Sequence, residues 1–129
     1  MIPDSHLDLV TGKSFAHVAT IGPNGQPHSS PVWIAGDAQT IKFSQTTDRQ
    51  KYDNLQREPR LALSMIDIDN PYRYLEVRGR VSDIIDDDDN GFIDSMAQKY
   101  LGEKTYPNHQ PGDHRVVVTV DVEHTTQMG

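Results

Sequence analysis

The stretch FAHVATIGPNGQPHSSPVWIA, Phe15 to Ala35, sets the direction of the sheet. Phe15 to Ile21 is apolar and β-prone, Gly22-Pro23-Asn24-Gly25 is a strong turn signal, and Gln26 to Ala35 returns as a second strand. Strands joined by so short a turn run antiparallel, because a parallel pair needs a long crossover. Pro27 and Pro31 are unusual in the return strand, since each removes a ladder donor. They make it an edge or bulged strand. Alternatively, backbone groups left unpaired between His28 and Trp33 are available to bind the edge of a planar heterocycle.

Further strands follow on both sides of short turns. Gly36-Asp37 is a turn and Thr40 to Gln45 a third strand. Thr47-Asp48-Arg49-Gln50 reads as a capping box, Thr47 being the cap, that opens a short helix ending at Arg57 before Glu58-Pro59. Arg60 to Ile68 is a fourth strand and Asp69-Asn70-Pro71 a turn. Arg73 to Ile85 alternates, with Leu75, Val77 and Val81 on one face and Tyr74, Glu76, Arg78 and Arg80 on the other. Phe92 to Leu101 is an amphipathic helix with Ile93, Met96, Ala97 and Tyr100 on one stripe. His114 to Val122 is a last alternating strand, and Ile2 to Gly12 carries a helix-like trace at the other end.

Six strands with small helices between them favour an antiparallel β-barrel with rim helices over a doubly wound parallel sheet. Closing the sheet would also remove exposed edges. At 129 residues the chain has the size of one domain, residues 1–129, with no repeat or linker to divide it. It has no cysteine, so it has no disulfide framework, thiol nucleophile or Cys-ligated zinc. No apolar run has the length of a membrane span, and Met1 to Val10 lacks the blocks of a signal peptide, so a cytoplasmic location is expected.

Nineteen acids against twelve bases give a net charge of −7, but the average hides a local pattern. Six aspartates and no base lie between Val81 and Gln98, whereas seven of the twelve bases fall between Arg49 and Arg80. Such a strip suits a small anionic ligand and not a nucleic-acid duplex. Within it, Ser44, Thr46, Thr47, Arg49, Lys51 and Asn54 bring hydroxyls and two cations to a helix start, the chemistry of a phosphate site. A capped surface helix with solvated bases would have the same sequence.

Asp86-x-Asp88-x-Asn90-Gly91 opens like a calcium loop, but Ala97 stands where the bidentate glutamate belongs. Aspartates favouring the positive end of the following helix account for the run instead. The six histidines, His6, His17, His28, His109, His114 and His124, have no metal-site spacing, and no metal is expected.

Taken in order, the motifs resemble the pyridoxamine 5′-phosphate oxidase-like family of flavin-binding split β-barrels. The segment from Ala19 to Trp33 resembles the family's opening hairpin. Ile41-Lys42-Phe43-Ser44, Arg49-Gln50-Lys51-Tyr52-Asp53-Asn54-Leu55 and Pro59-Arg60-Leu61-Ala62-Leu63-Ser64 resemble its phosphate-binding segment. Asp69 to Val81, Lys99-Tyr100-Leu101-Gly102 and Tyr106-Pro107 are similar to the branch that uses the deazaflavin coenzyme F420 in place of FMN. The likeness extends from about Phe15 to Val122.

The resemblance implies a six-stranded split barrel forming a homodimer, with two cofactor sites at the subunit interface. Arg49 and Lys51 would hold the cofactor phosphate with Ser44 and Asn54. His28, Ser29, Ser30, Pro31, Val32 and Trp33 would run along the ring, and Tyr74 and Arg78 would approach from the second subunit. Arg78 and Arg80 are alternative holders of the coenzyme's acidic tail. The implied reaction is hydride transfer from reduced F420 to an electron-poor small molecule such as a quinone or a tetrapyrrole, the proton coming from solvent. FMN as cofactor, and a carrier or sensor without catalysis, are the alternatives. No catalytic side chain stands out.

Overall fold

A computed structural model describes residues 1–129. The opening hairpin forms between β1 (Ala16–Ile21) and β2 (Pro27–Val32), in register from Ala16 opposite Val32 to Ile21 opposite Pro27. Gly25 takes φ 82°, which glycine reaches without a Cβ penalty, and its N–H donates to the Gly22 carbonyl at 3.0 Å.

The return strand is shorter than its sequence pattern predicts. It stops at Val32, and the chain passes through Trp33 and Ile34 into β3 (Ala35–Gly36), which pairs with β4 (Thr40–Thr46). Ile34 is fully buried, yet side chains satisfy its backbone: its N–H donates to the Tyr100 hydroxyl at 3.1 Å and its carbonyl accepts from Lys99 Nζ at 2.6 Å.

Seven strands, not six, therefore form the sheet. With β5 (Arg60–Asp67), β6 (Asn70–Asp86) and β7 (Arg115–Met128), the order is β2-β1-β5-β6-β7-β4-β3, every pair antiparallel. The strands β2 and β3 are the edges, so backbone hydrogen bonds do not close the barrel as the sequence reading expected. Pro27 and Pro31 lie in the edge strand β2, where a missing donor costs no ladder bond.

Two register shifts, at Arg78/Gly79 and Val81/Asp83, bend the 17-residue β6. At the first, a Cβ on Gly79 would run into the Asp121 carbonyl. Phe43, Leu63, Met65, Leu75, Val77 and Val118 are fully buried in one hydrophobic core. Each side chain of that kind contributes roughly 1.5–3 kcal/mol by leaving water. The strand β7 continues six residues past the expected Val122, through the polar run Glu123 to Met128. It pairs there with Tyr74 to Arg78 of β6, so the backbone ladder and not apolar alternation holds it.

Three helices decorate the sheet: α1 (Asp8–Thr11), α2 (Gln50–Arg57) and α3 (Gly91–Leu101). The helix expected from Ile2 to Gly12 is broken into a 3-10 turn, Asp4–His6, and α1. Arg73 accounts for the break. Its guanidinium donates to the Ser5 carbonyl at 2.6 Å and to both Asp8 carboxylate oxygens, at 2.6 and 3.0 Å.

The expected Thr47 cap does not form. Thr47 N–H donates to the His114 carbonyl at 3.0 Å, extending the β4–β7 pairing, and α2 starts after Arg49 with no side-chain cap. At α3, the Asp87 carboxylate accepts the N–H groups of Phe92 and Ile93, each at 3.1 Å. One aspartate of the acidic run thus serves the helix start, as its position suggested.

Candidate functional site

The gap between β2 and β4 is a cavity of about 590 Å³. The wall from β2 supplies His28, Ser29, Ser30, Pro31 and Val32, with Trp33 just beyond the strand; β4 supplies Ser44, Gln45 and Thr46. Its cationic end is Arg49, Gln50 and Lys51, where β4 runs through a three-residue turn into α2. Arg115, the first residue of β7, lies in register with Thr46 and joins the same wall. Phe15, Tyr106, Ile93 and Met96 give it an apolar side. No aspartate or glutamate lines it.

Lys51 reaches across the gap. Its Nζ donates to Ser30 Oγ at 2.8 Å and stands 5.9 Å from the centroid of the buried Phe43 ring. Burial pushes its pKa down to about 8, and the nearby Arg49 charge adds to the effect. No acid neutralises this end of the cavity, so an anion there would meet an ammonium already stripped of much of its water.

Asn54 is fully buried and does not line the cavity. Its Nδ2 donates to Thr20 Oγ1 at 3.0 Å, and its Oδ1 accepts from Gln50 Nε2 at 2.8 Å. It therefore orients two residues that do line the cavity. Arg115 donates through Nη1 to Ser44 Oγ at 3.2 Å, and its guanidinium lies 4.8 Å over the Tyr106 ring. Trp33 stacks on Tyr100 at 5.3 Å and 7°, and meets Tyr106 edge-on at 5.8 Å. These aromatic contacts hold the end of β2 and the loop after α3 together.

The structure thus brings together nine of the residues proposed from sequence: the run from His28 to Trp33, Ser44, Arg49 and Lys51. Tyr74 and Arg78 lie elsewhere, on β6. Arg78 borders a second cavity of about 490 Å³, with Arg60, Glu123 and His124. Arg80 stands 4.0 Å from Glu123 in a loose, exposed pair.

Sequence reasoning missed Thr20, Gln45, Gln50, Tyr106 and Arg115. Arg115 enters through strand pairing with β4, about seventy residues away along the chain, which no local spacing encodes. His114 likewise meets the exposed Asp86 and Asp88 only in the fold, its Nε2 being 3.0 Å from Asp86 Oδ1.

An antiparallel sheet whose edge strand β2 faces β4 across a cavity lined by cations, hydroxyls and aromatic rings has the architecture of a split barrel. The chain belongs to the pyridoxamine 5′-phosphate oxidase family, whose model matches residues 2–129. It is similar to a solved structure described as an F420 reductase, with 36% identity and a TM-score of 0.87 over 97% of this chain and 98% of that one. It shares its fold with a conserved hypothetical protein of Mycobacterium tuberculosis, Rv2991, at 24% identity and a TM-score of 0.71, covering 98% and 84% of the two chains. HupZ of Group A Streptococcus has the same fold at 21% identity and a TM-score of 0.71, covering 99% and 94%. No curated protein matches the chain.

Proposed function

We propose that the protein is an oxidoreductase that binds coenzyme F420 in the β2–β4 cavity and reduces an electron-poor organic molecule such as a quinone or a tetrapyrrole. Membership of a family named for a flavin-type oxidase supports the coarser reading, a flavin- or F420-binding oxidoreductase-like protein. The finer reading is supported by the likeness to an F420 reductase along nearly the whole chain. The observation that carries it is the cavity's composition: Arg49 and Lys51 at one end, no carboxylate, and an edge strand with one side of its backbone unpaired by any strand.

The residues present fit a phosphate-bearing ring system. In this reading Arg49 and Lys51 hold the phosphate, Ser44 adds a hydroxyl donor, and Asn54 acts indirectly by fixing Thr20 and Gln50. The strand from His28 to Trp33 offers backbone groups to the ring edge, and Trp33, Tyr106 and Phe15 exclude water from its far side. When bound in reduced form, the cofactor supplies a hydride, and solvent supplies the accompanying proton. The protein's part is to place and shield the reacting ring. The same proposal includes a cytoplasmic homodimer, with Tyr74 and Arg78 of one subunit completing the other's site.

The decisive experiment is fluorescence titration of the purified protein with F420 and with FMN. Micromolar or tighter binding of F420, in preference to FMN, is expected. Preference for FMN would replace the cofactor, and binding of neither would end the oxidoreductase reading. Lys51→Ala should weaken binding by about 1.5–3 kcal/mol, the range for hydrogen bonds to charged groups.

A further inference from the structure

The cavity wall carries one more cation than the phosphate reading uses. Arg115 makes no salt bridge with any acid of the chain. Its Nε is the single buried side-chain nitrogen or oxygen without a hydrogen-bond partner. Orphaned buried donors are rare in folded proteins, and each calls for a partner from outside the chain or a reason to go without. Here the orphan belongs to a side chain of the cavity wall, where no carboxylate is within the lining to take it.

The rest of the guanidinium is already held. Nη1 donates to Ser44 Oγ at 3.2 Å, and one face rests on Tyr106. A serine hydroxyl has one hydrogen to give and two lone pairs. Because Ser44 accepts from Arg115, its own hydrogen is free to donate. In the β4–β7 ladder Arg115 lies opposite Thr46, two residues along from Ser44, a diagonal that a long side chain spans. Arg115 Nε is itself buried, so what the pair presents to the cavity is the Ser44 Oγ–H, with the guanidinium charge behind it.

We infer that Arg115 and Ser44 form a third arm of the anion site alongside Arg49 and Lys51: Ser44 donates its Oγ–H to a phosphate oxygen of the bound ligand, and Arg115 orients that hydroxyl and adds its charge. The inference deepens the cofactor reading and rests on it for the identity of the ligand. The other role open to Arg115 is purely structural, a clamp that holds Tyr106 and its loop against the sheet.

The test compares FMN with riboflavin, which has the same ring and no phosphate, for the wild type, Arg115→Met and Arg115→Lys. Affinities come from flavin fluorescence, and melting temperature is recorded in parallel. A ligand-reading arm predicts that Arg115→Met lowers FMN affinity at least tenfold while riboflavin affinity changes less than twofold. Arg115→Lys, which keeps the charge but lacks the planar fork, should fall between the two. Equal losses for both flavins, or no loss for FMN, would overturn the assignment and leave the cofactor reading standing.

If the wild type binds neither flavin, melting temperature in inorganic phosphate against chloride of equal ionic strength becomes the readout. A phosphate-specific rise that Arg115→Met abolishes and Arg115→Lys reduces would uphold the arm, and a rise that both variants keep would overturn it. No rise in the wild type would end the assignment. Should Arg115→Met not fold, the Arg115→Lys comparison decides: an unchanged preference for FMN over riboflavin overturns the arm, and a reduced preference sustains it.

Discussion

Lys51 concentrates the chemistry of the site in one side chain. Its ammonium is held between Ser30 and the Phe43 ring, and burial lowers its pKa from 10.5 to about 8. Two quantities should then move in opposite directions with pH. Affinity for a phosphate-bearing ligand falls as pH rises through about 8, because the neutral amine loses its charge–charge attraction. Between about 8 and 10.5 the unfolded chain binds more protons at this group than the folded one, so its contribution to stability rises with pH. Titration with F420 or FMN from pH 6 to 10, beside urea unfolding of the empty protein, checks both. Lys51→Met should flatten each profile over that window. Asn54 has no place in the cavity wall, yet Asn54→Ala would leave Thr20 and Gln50 without the group that orients them.

At the scale of single elements, α3 shows how a helix end is secured from outside the helix. Asp87 lies four residues before the first helical residue and still accepts two first-turn N–H groups. Asp87→Ala should cost about 0.5–2 kcal/mol, the range for losing a side-chain cap, measured by urea denaturation. Asp88→Ala, which removes a neighbouring acid without such bonds, should cost less. The element boundaries also show what sequence can reveal. The α3 stripe of Ile93, Met96 and Ala97 was legible because burial has the helical period. The start of α2 was not, because Thr47 stays in the β4–β7 pairing, its N–H on the His114 carbonyl, and the helix begins only at Gln50. The end of β2 was illegible for a similar reason: Ile34 finds its backbone partners on Tyr100 and Lys99. The site divides along the same line. The stretch from His28 to Lys51 is nearly contiguous and could be read locally, whereas Arg115 arrives only through strand pairing.

The whole molecule depends on how β2 and β3, neighbours in sequence, come to occupy opposite edges of one sheet. The crossing at Ile34 is pinned by Tyr100, whose hydroxyl also donates to the Ser14 carbonyl at 2.7 Å, and by Lys99, which also reaches the Val10 carbonyl at 3.2 Å. Burial keeps the Tyr100 hydroxyl protonated, raising its pKa above the usual value. Tyr100→Phe leaves the buried Ile34 N–H without its acceptor and should cost about 1–3 kcal/mol, read as a lowered melting temperature.

The cavity without an acid has a consequence for the empty protein. Arg49, Lys51 and Arg115 share one wall, and their mutual repulsion opposes folding until a counter-charge arrives. Dissolved ions can play that part diffusely, since screening acts within about 8 Å at physiological ionic strength. Raising sodium chloride should therefore stabilise the ligand-free form more than the ligand-bound form, so the gap between their melting temperatures narrows as salt increases. Ionic strength becomes a gauge of whether the seam is filled.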